Sequence, residues 1–416
     1  MADWFAGARL GLFVHWDHAS AQGLELSWPM VGGLFALPKC QDVSVAEYER
    51  SARTFEPDAW EPRALAALAR RAGMRYGVFT AKHHAGYAMY PTAQADWSVA
   101  ASPCGRDLVR EWVEALRAEG LRVGLYFSLS DWHHPDYPAF TDDSRPYLPG
   151  FSPPVPAPEQ ADRYRAFLRA QLRELLTGYG PIDVLWFDGG WERPPAWWGS
   201  EELEAMIRGL QPDIWINDRL PGVGDFATPE QFVPPEPLGG PWETCLTMND
   251  SWGYVPTDTD YKSVRELVHT LCEVASRGGN LLLNVSPTGT GALPPEQLER
   301  LEGLAEWMAL HGESILDTEP GLAPWQFYGP STRRGNVVYL HLLLRPYATV
   351  SVRGVPVRRV REVRVLGPGR PLEFTFRTAV LDQLNADPNG ELVVAVPEDL
   401  LDPLATVLRV DFADAV

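Results

Sequence analysis

Asp188 closes the apolar run Val184-Leu185-Trp186-Phe187 and is followed at once by Gly189 and Gly190. The run is too short for a helix and is bounded by turn signals, so it reads as a buried strand. A carboxylate on a strand's last residue is held rigidly and points out of the sheet's carboxyl edge. Barrels of parallel strands assemble their chemistry at that edge. The plainer alternative is a turn cap, since Asp-Gly is a common turn pair. The surrounding sequence favours the first reading. His15, His83-His84, Asp131, Asn217-Asp218-Arg219 and Asn284 all fall at the carboxyl ends of further strand candidates. A ring of imidazoles, carboxylates and indoles there suits an uncharged, polyhydroxylated ligand, whose hydroxyls need both donors and acceptors. A metal centre is the rival use of so many histidines. Adjacent His83-His84 and His133-His134 do not easily converge on one ion, and neither His-x-His nor His-Glu-x-x-His occurs. No metal and no cofactor is expected.

The elements that must position these residues alternate in type. Strand candidates are Leu10 to Trp16, Tyr76 to Thr80, Arg122 to Ser128, the Asp188 strand, Ile214 to Ile216, Trp242 to Met248 and Asn280 to Val285. Between them the spacing predicts helices over Pro62 to Ala72, Arg106 to Ala118, Gln160 to Leu176, Ser200 to Leu210 and Tyr261 to Ser276. A last helix is expected over Pro294 to His311. Residues 135–160 are rich in proline and polar residues and read as a long loop at the carboxyl edge. Strands alternating with helices predict an α/β fold with a (β/α)8-like barrel. No Gly-rich phosphate fingerprint follows the first strand, which disfavours a nucleotide fold. From Glu319 onward short β-rich segments separated by turn clusters predict a C-terminal antiparallel β-sandwich. The expected division is 1–318 for the barrel and 319–416 for the sandwich.

Composition bounds the partners. The chain has 416 residues and a net charge of −19, so nucleic acid and anionic membrane surfaces are disfavoured. No apolar stretch approaches a membrane span, and the first residues carry no secretory pattern. Cys40, Cys104, Cys245 and Cys272 are scattered and make no metal-ligand pair, so they read as reduced thiols of a cytoplasmic enzyme. Sixteen tryptophans are suited to packing on sugar faces, although many must be core. The sequence leaves homo-oligomerisation open.

Nine ordered motifs carry a resemblance. They are Phe13-Val14-His15-Trp16, Lys82-His83-His84, Gly124-Leu125-Tyr126-Phe127-Ser128, Leu185-Trp186-Phe187-Asp188, Asn217-Asp218-Arg219, Thr228-Pro229-Glu230, Trp242-Glu243-Thr244-Cys245, Ser251-Trp252-Gly253-Tyr254 and the Gly278 to Val285 run. Over roughly residues 5–311 the chain resembles the α-L-fucosidases of glycoside hydrolase family 29. The resemblance implies a retaining exo-fucosidase on fucosylated glycans, with a (β/α)8-like domain and a C-terminal β-sandwich. It implies that Asp188 is the nucleophile and that His15, His83, His84 and Trp186 line the fucose pocket. Trp28, Tyr126, Arg219 and Glu243 join them as expected substrate-binding residues. Three positions depart from the family pattern. Ala85 stands where the family commonly has Asp, and Asp17 where it has Gly. Ser27-Trp28-Pro29 replaces Glu-Trp-Tyr, with Glu25 or Asp17 as the substitutes for the missing Glu.

The chemistry constrains the second carboxyl group. Retention needs two carboxyls about 5–5.5 Å apart, one attacking as a carboxylate and one delivering a proton to the leaving oxygen. The proton donor needs a pKa raised by burial or by its neighbour's charge. It belongs on a longer loop that reaches over the leaving group. Glu230, flanked by turn residues, fits that role. Glu243, beside Trp242, is the competitor and otherwise a sugar contact or a structural group. Arg219 is suited to holding either carboxylate through a bidentate pair. Two other functions stay in view: a retaining glycosidase on a related sugar such as an α-L-galactoside, and a non-catalytic carbohydrate-binding barrel.

Overall fold

Seven largely buried strands lie parallel in one curled sheet. In the computed structural model, which describes residues 4–32, 39, 41–137, 141–143 and 154–414, they are β1 (Leu10–Val14), β2 (Tyr76–Lys82), β3 (Arg122–Ser128), β4 (Val184–Asp188), β5 (Trp215–Ile216), β6 (Glu243–Leu246) and β7 (Asn280–Val285). Every residue of these strands except Arg122 is buried, as a parallel sheet covered on both faces requires. The strand order is β5-β4-β3-β2-β1-β7-β6. Register fixes which side chains share a level: Tyr126 lies opposite Trp186, Ser128 opposite Asp188, and Phe13 opposite Asn284.

The edge strands β5 and β6 do not pair with each other along the sheet. Residues 225–231 close the gap instead. Asn217 bridges Phe226, Ala227 bridges Trp242 and Glu230 bridges Cys245, each in the parallel sense. The backbone bonds run from Asp218 N to Phe226 O (3.0 Å), from Glu243 N to Ala227 O (2.9 Å) and from Gln231 N to Cys245 O (3.0 Å). The expected (β/α)8-like barrel is therefore completed by a segment the sequence marks as a loop.

Helices outside the barrel bury one stripe each. In Pro62–Arg71 the buried residues are Leu65, Ala66, Leu68 and Ala69, with Pro62 in the first turn, where its missing N–H costs nothing. Val264–Ser276 opens on a capping box between Ser263 and Glu266. Strand β1 ends at Val14 rather than Trp16, and the helix after the 135–160 stretch starts at Pro158. Cys40, and residues 138–140 and 144–153 of that stretch, lie outside the described residues.

Eight further strands follow: β8 (Glu319–Pro320), β9 (Ser331–Arg334), β10 (Val337–Leu342), β11 (Thr349–Pro356), β12 (Val360–Val365), β13 (Phe374–Arg377), β14 (Asn389–Ala395) and β15 (Thr406–Phe412). They form two antiparallel sheets, β12-β15-β10-β9-β8 and β11-β14-β13. Leu340, Val350, Val352, Leu392, Val394, Leu408 and Val410 are among the residues that fill the space between the sheets. The short strands β8 and β9 were not expected; Glu319–Pro320 and Ser331–Arg334 carry too little apolar periodicity to register. Trp307 Nε1 donates to Ala405 O (3.1 Å) and ties the last barrel helix to the sandwich.

Candidate active site

A cavity of about 290 Å³ opens at the carboxyl edge of the barrel. Its wall is made by Phe13, His15, Trp28, His83, His84, Trp186, Asp188, Trp191, Arg219, Glu230, Cys245 and Trp252. That volume is at the small end for ligand sites and suits one ring rather than a chain.

Asp188 sits at the end of β4, only 7% exposed. Tyr126 Oη donates to its Oδ2 (2.8 Å) and Arg219 Nη1 donates to its Oδ1 (2.9 Å). The other arm of the same guanidinium, Nη2, donates to Glu230 Oε2 (2.7 Å). One arginine thus holds both carboxyl groups. Its plane lies over the Trp186 ring, 4.6 Å from the centroid, so the fork is fixed from below as well. Glu230 is the more open of the two carboxylates, with its side chain 39% exposed against 11% for Asp188.

The three histidines are held through Nδ1, which leaves Nε2 for the cavity. Asn284 donates its Nδ2–H to Trp252 O (2.8 Å), so its Oδ1, 2.7 Å from His15 Nδ1, accepts from that nitrogen. His15 Nε2 is then an acceptor. The Ser128 hydroxyl donates to Ser130 O (2.7 Å) and accepts from His84 Nδ1 (2.7 Å), which makes His84 Nε2 an acceptor too. Ser27 Oγ accepts from Ala85 N (2.7 Å) and shares a hydrogen bond with His83 Nδ1 (2.7 Å). Burial pushes His15 down to about 4 and holds His83 and His84 well below the ordinary imidazole value. All three are neutral near pH 7, and neutral imidazoles offer a ring nitrogen each to the hydroxyl groups of a ligand. His84 Nε2 lies 3.6 Å from Asp188 Oδ2 and has no hydrogen-bond partner among the described residues.

Glu243 is placed elsewhere. It points into the barrel beneath the cavity, fully buried, where Trp186 Nε1 donates to its Oε1 (3.0 Å) and Tyr76 Oη to its Oε2. Burial without a cation beside it drives its pKa well above the usual carboxylate range, so it keeps its proton. Tyr126 also lies behind the wall and reaches the site only through its hydroxyl. Of the expected ring, Asp131, Asn217, Asp218 and Asn284 stand in support. Asp131 pairs with Lys82 (3.6 Å), Asn217 bonds both backbone groups of Phe187, and Asp218 accepts from Thr228 Oγ1 (2.6 Å). Neither Glu25 nor Asp17 reaches the cavity. Glu25 accepts from the N–H groups of Trp252 (2.6 Å) and Gly253 (3.0 Å), and Asp17 accepts from Ala19 N (2.8 Å). The contact that a Glu at position 27 would make is left to Ser27, which addresses His83 instead.

Sequence reading alone missed Ser27 and Ser128 as orienting groups, and Trp191 as part of the wall. Cys245 and Trp252 lay in quoted motifs without a role. Among the described residues no cluster of three His, Cys, Asp or Glu side chains is arranged to hold a metal ion. Among those residues, too, no helix is long and apolar enough to cross a membrane.

Comparison with known proteins agrees with this geometry. A family model described as Alpha-L-fucosidase matches residues 1–313. The tissue alpha-L-fucosidase of Bos taurus is 30% identical over 409 residues, covering 90% of this chain and 81% of its own length. Alpha-L-fucosidase isoenzyme 1 from Paenibacillus thiaminolyticus superimposes with a TM-score of 0.85 at 36% identity, over 99% of this chain and 98% of that one. The Thermotoga maritima alpha-fucosidase, solved with a mechanism based inhibitor, gives a TM-score of 0.76 at 29% identity, over 98% of this chain and 96% of that one.

Proposed function

This chain belongs to the α-L-fucosidase family of glycoside hydrolases, and from that premise we propose that its strand-end cavity removes terminal α-L-fucosyl residues with retention of configuration. It is an enzyme of that class, acting on fucosylated glycans. Asp188 is the nucleophile: an Oδ attacks the anomeric carbon as the glycosidic C–O bond breaks. Glu230 gives its proton to the departing oxygen and so acts as the acid. Water then attacks the anomeric carbon of the fucosyl-Asp188 ester, Glu230 takes the water's proton, and the Asp188 carboxylate leaves. The observation that carries this reading is the shared fork of Arg219, with Nη1 on Asp188 and Nη2 on Glu230. It keeps the two carboxyls within one guanidinium's reach, which supports the close pair of retaining enzymes over the ~6.5–9.5 Å spacing of inverting ones.

His15, His83 and His84 bind the ring hydroxyls as neutral imidazoles, and Trp28 and Trp186 supply apolar walls. Phe13 and Trp252 offer carbon surface beside His15, their ring centroids 6.0 Å apart, suited to a methyl group rather than the hydroxymethyl of a galactoside. Tyr126 and Arg219 position the nucleophile, and Glu243 holds Trp186 from beneath rather than touching sugar. The division at 318/319 and a cytoplasmic location belong to the same proposal; Cys104, Cys245 and Cys272, all unbridged, support the latter. Hydrolysis of an aryl α-L-fucoside followed by NMR tests it: α-L-fucose must appear before mutarotation. Initial release of the β anomer would overturn the double displacement. Faster turnover of the matching α-L-galactoside would overturn the choice of sugar.

A further inference from the structure

Trp191 stands three residues beyond Asp188, on the turn Gly190–Glu192, and lines the same cavity as Asp188 and Glu230. Its side chain is 51% exposed, whereas Trp16, Trp112, Trp132, Trp186 and Trp198 are almost wholly buried. An indole half in water at the mouth of a site presents exposed carbon surface.

The turn that carries it is fastened from every side. Glu192 accepts from Trp132 Nε1 (2.9 Å) and from the Tyr137 hydroxyl. Trp198 Nε1 lies 2.9 Å from Gly190 O and 3.0 Å from Arg193 O and is shared between them. Arg193 Nη1 donates to Glu192 O (2.9 Å), and its guanidinium lies over the rings of Tyr137 and Trp197. Gly189, at φ +71°, lets the chain pass so close to Ser130 that a Cβ there would fall 2.3 Å from Ser130 Oγ. Such anchoring presents the indole without the ordering cost of a mobile loop. Trp191 meets the His84 ring edge-on, with centroids 5.5 Å apart and planes at 82°. His84 in turn faces Asp188, so the indole borders the place where the bond is cut.

We infer that Trp191 is the platform on which the leaving group's sugar ring stacks. This rests on the fucoside reading of the cavity. The inner wall supplies hydrogen bonds, from neutral imidazoles and the Arg219 fork. The outer rim at Trp191 supplies a flat carbon face. The aglycone that fits is a neutral pyranose, which turns a face of C–H groups to the indole and keeps its hydroxyls in water.

The test compares two substrates on Trp191→Ala and Trp191→Phe: α-L-fucosyl fluoride, whose leaving group has no ring, and a fucosyl disaccharide with a pyranose aglycone. Expected for Trp191→Ala is a roughly tenfold loss of kcat/KM on the disaccharide, several-fold greater than its loss on the fluoride, with most of the disaccharide rate kept by Trp191→Phe. An equal loss on both substrates, or no loss on the disaccharide, would overturn the inference. Fluoride turnover also shows that the variant is folded. A wild-type enzyme inactive on both substrates would sink the fucoside reading itself, and the platform with it.

Discussion

Glu230 faces Cys245 in parallel register, so the residue assigned as proton donor rides on the segment that closes the barrel. From just beyond β5, Arg219 reaches Glu230 on this seam and Asp188 on β4. The two carboxyl groups are therefore set relative to each other by one side chain and by the pairing of residues 225–231 with their neighbours.

Replacing Asp188 with Ala should lower turnover by on the order of 10³–10⁵-fold. Azide fills the vacated space and attacks from the nucleophile's side, so it should restore part of the rate and give a fucosyl azide of inverted configuration. Near-normal turnover in the Asp188→Ala variant would remove it from the mechanism.

Glu230 and Glu243 separate by their response to the leaving group. A good leaving group departs without protonation, so Glu230→Ala should abolish hydrolysis of fucosyl oligosaccharides yet keep much of the first step on an aryl fucoside of low phenol pKa. A burst should follow, because the second step lacks its base, and azide should give a product of retained configuration. Glu243→Gln should stay within about tenfold of wild type on both substrates, since Glu243 is already uncharged and the amide can still accept from Trp186 Nε1. A burst and retained azide product from Glu243→Ala instead would exchange the two roles.

Asp17 makes a stability prediction with a definite sign. Burial raises its pKa from 3.8 to about 7, and its Oδ2 has no hydrogen-bond partner among the described residues. A folded value above the unfolded one means that the group's contribution is complete below pH 3.8 and is lost as pH rises through 7. Asp17→Asn has no proton to lose there. The Tm difference, variant minus wild type, should therefore grow between about pH 4 and pH 7 and level off above about pH 8. A difference independent of pH would contradict the assignment.

Lys82 and Asp131 form an ion pair sealed from solvent, with Lys82 Nζ also donating to Gln171 Oε1 (3.1 Å) and lying 4.3 Å from the Phe127 ring centroid. The pair joins the end of β2 to the loop in which Trp132 N donates to His84 O (2.7 Å). Lys82→Met should cost about 3–5 kcal/mol, because it strands a buried carboxylate. Adding Asp131→Asn should recover part of that loss in urea unfolding. Strictly additive losses would show that the two groups are not coupled.

Much of this site was legible because strand ends announce themselves. Asp188 after Val184 to Phe187, and His83-His84 after the second strand, needed only an apolar run and its last residue. Depth was not legible. Glu243 and Cys245 lie two residues apart on one strand and face the same side, yet the rise of about 3.3 Å per residue puts Cys245 in the cavity wall and Glu243 beneath it. Residues 225–231 hid their structural role for another reason: Pro229 and the lack of alternation describe a loop, and only neighbours distant in sequence turn it into a strand's substitute. Leu26, at φ +48°, reverses the chain locally and sends Glu25 to the Trp252 and Gly253 N–H groups while Ser27 faces His83. No pattern of residue types signals that a leucine adopts such a conformation.

The seam between β5 and β6 also sets how the enzyme fails on heating. All seven sheet strands pair through two or more successive residues, whereas residues 225–231 are held by isolated bridges, with Gln231 in the left-handed region at φ +61°. Regions with few backbone bonds open before the rest. Loss of this segment carries Glu230 away from Arg219 but leaves the helices and the sandwich intact. Thermal inactivation should therefore run ahead of melting, so that residual activity vanishes several degrees below the midpoint seen by circular dichroism, and a bound fucose analogue that bridges the two carboxyls should draw the two temperatures together.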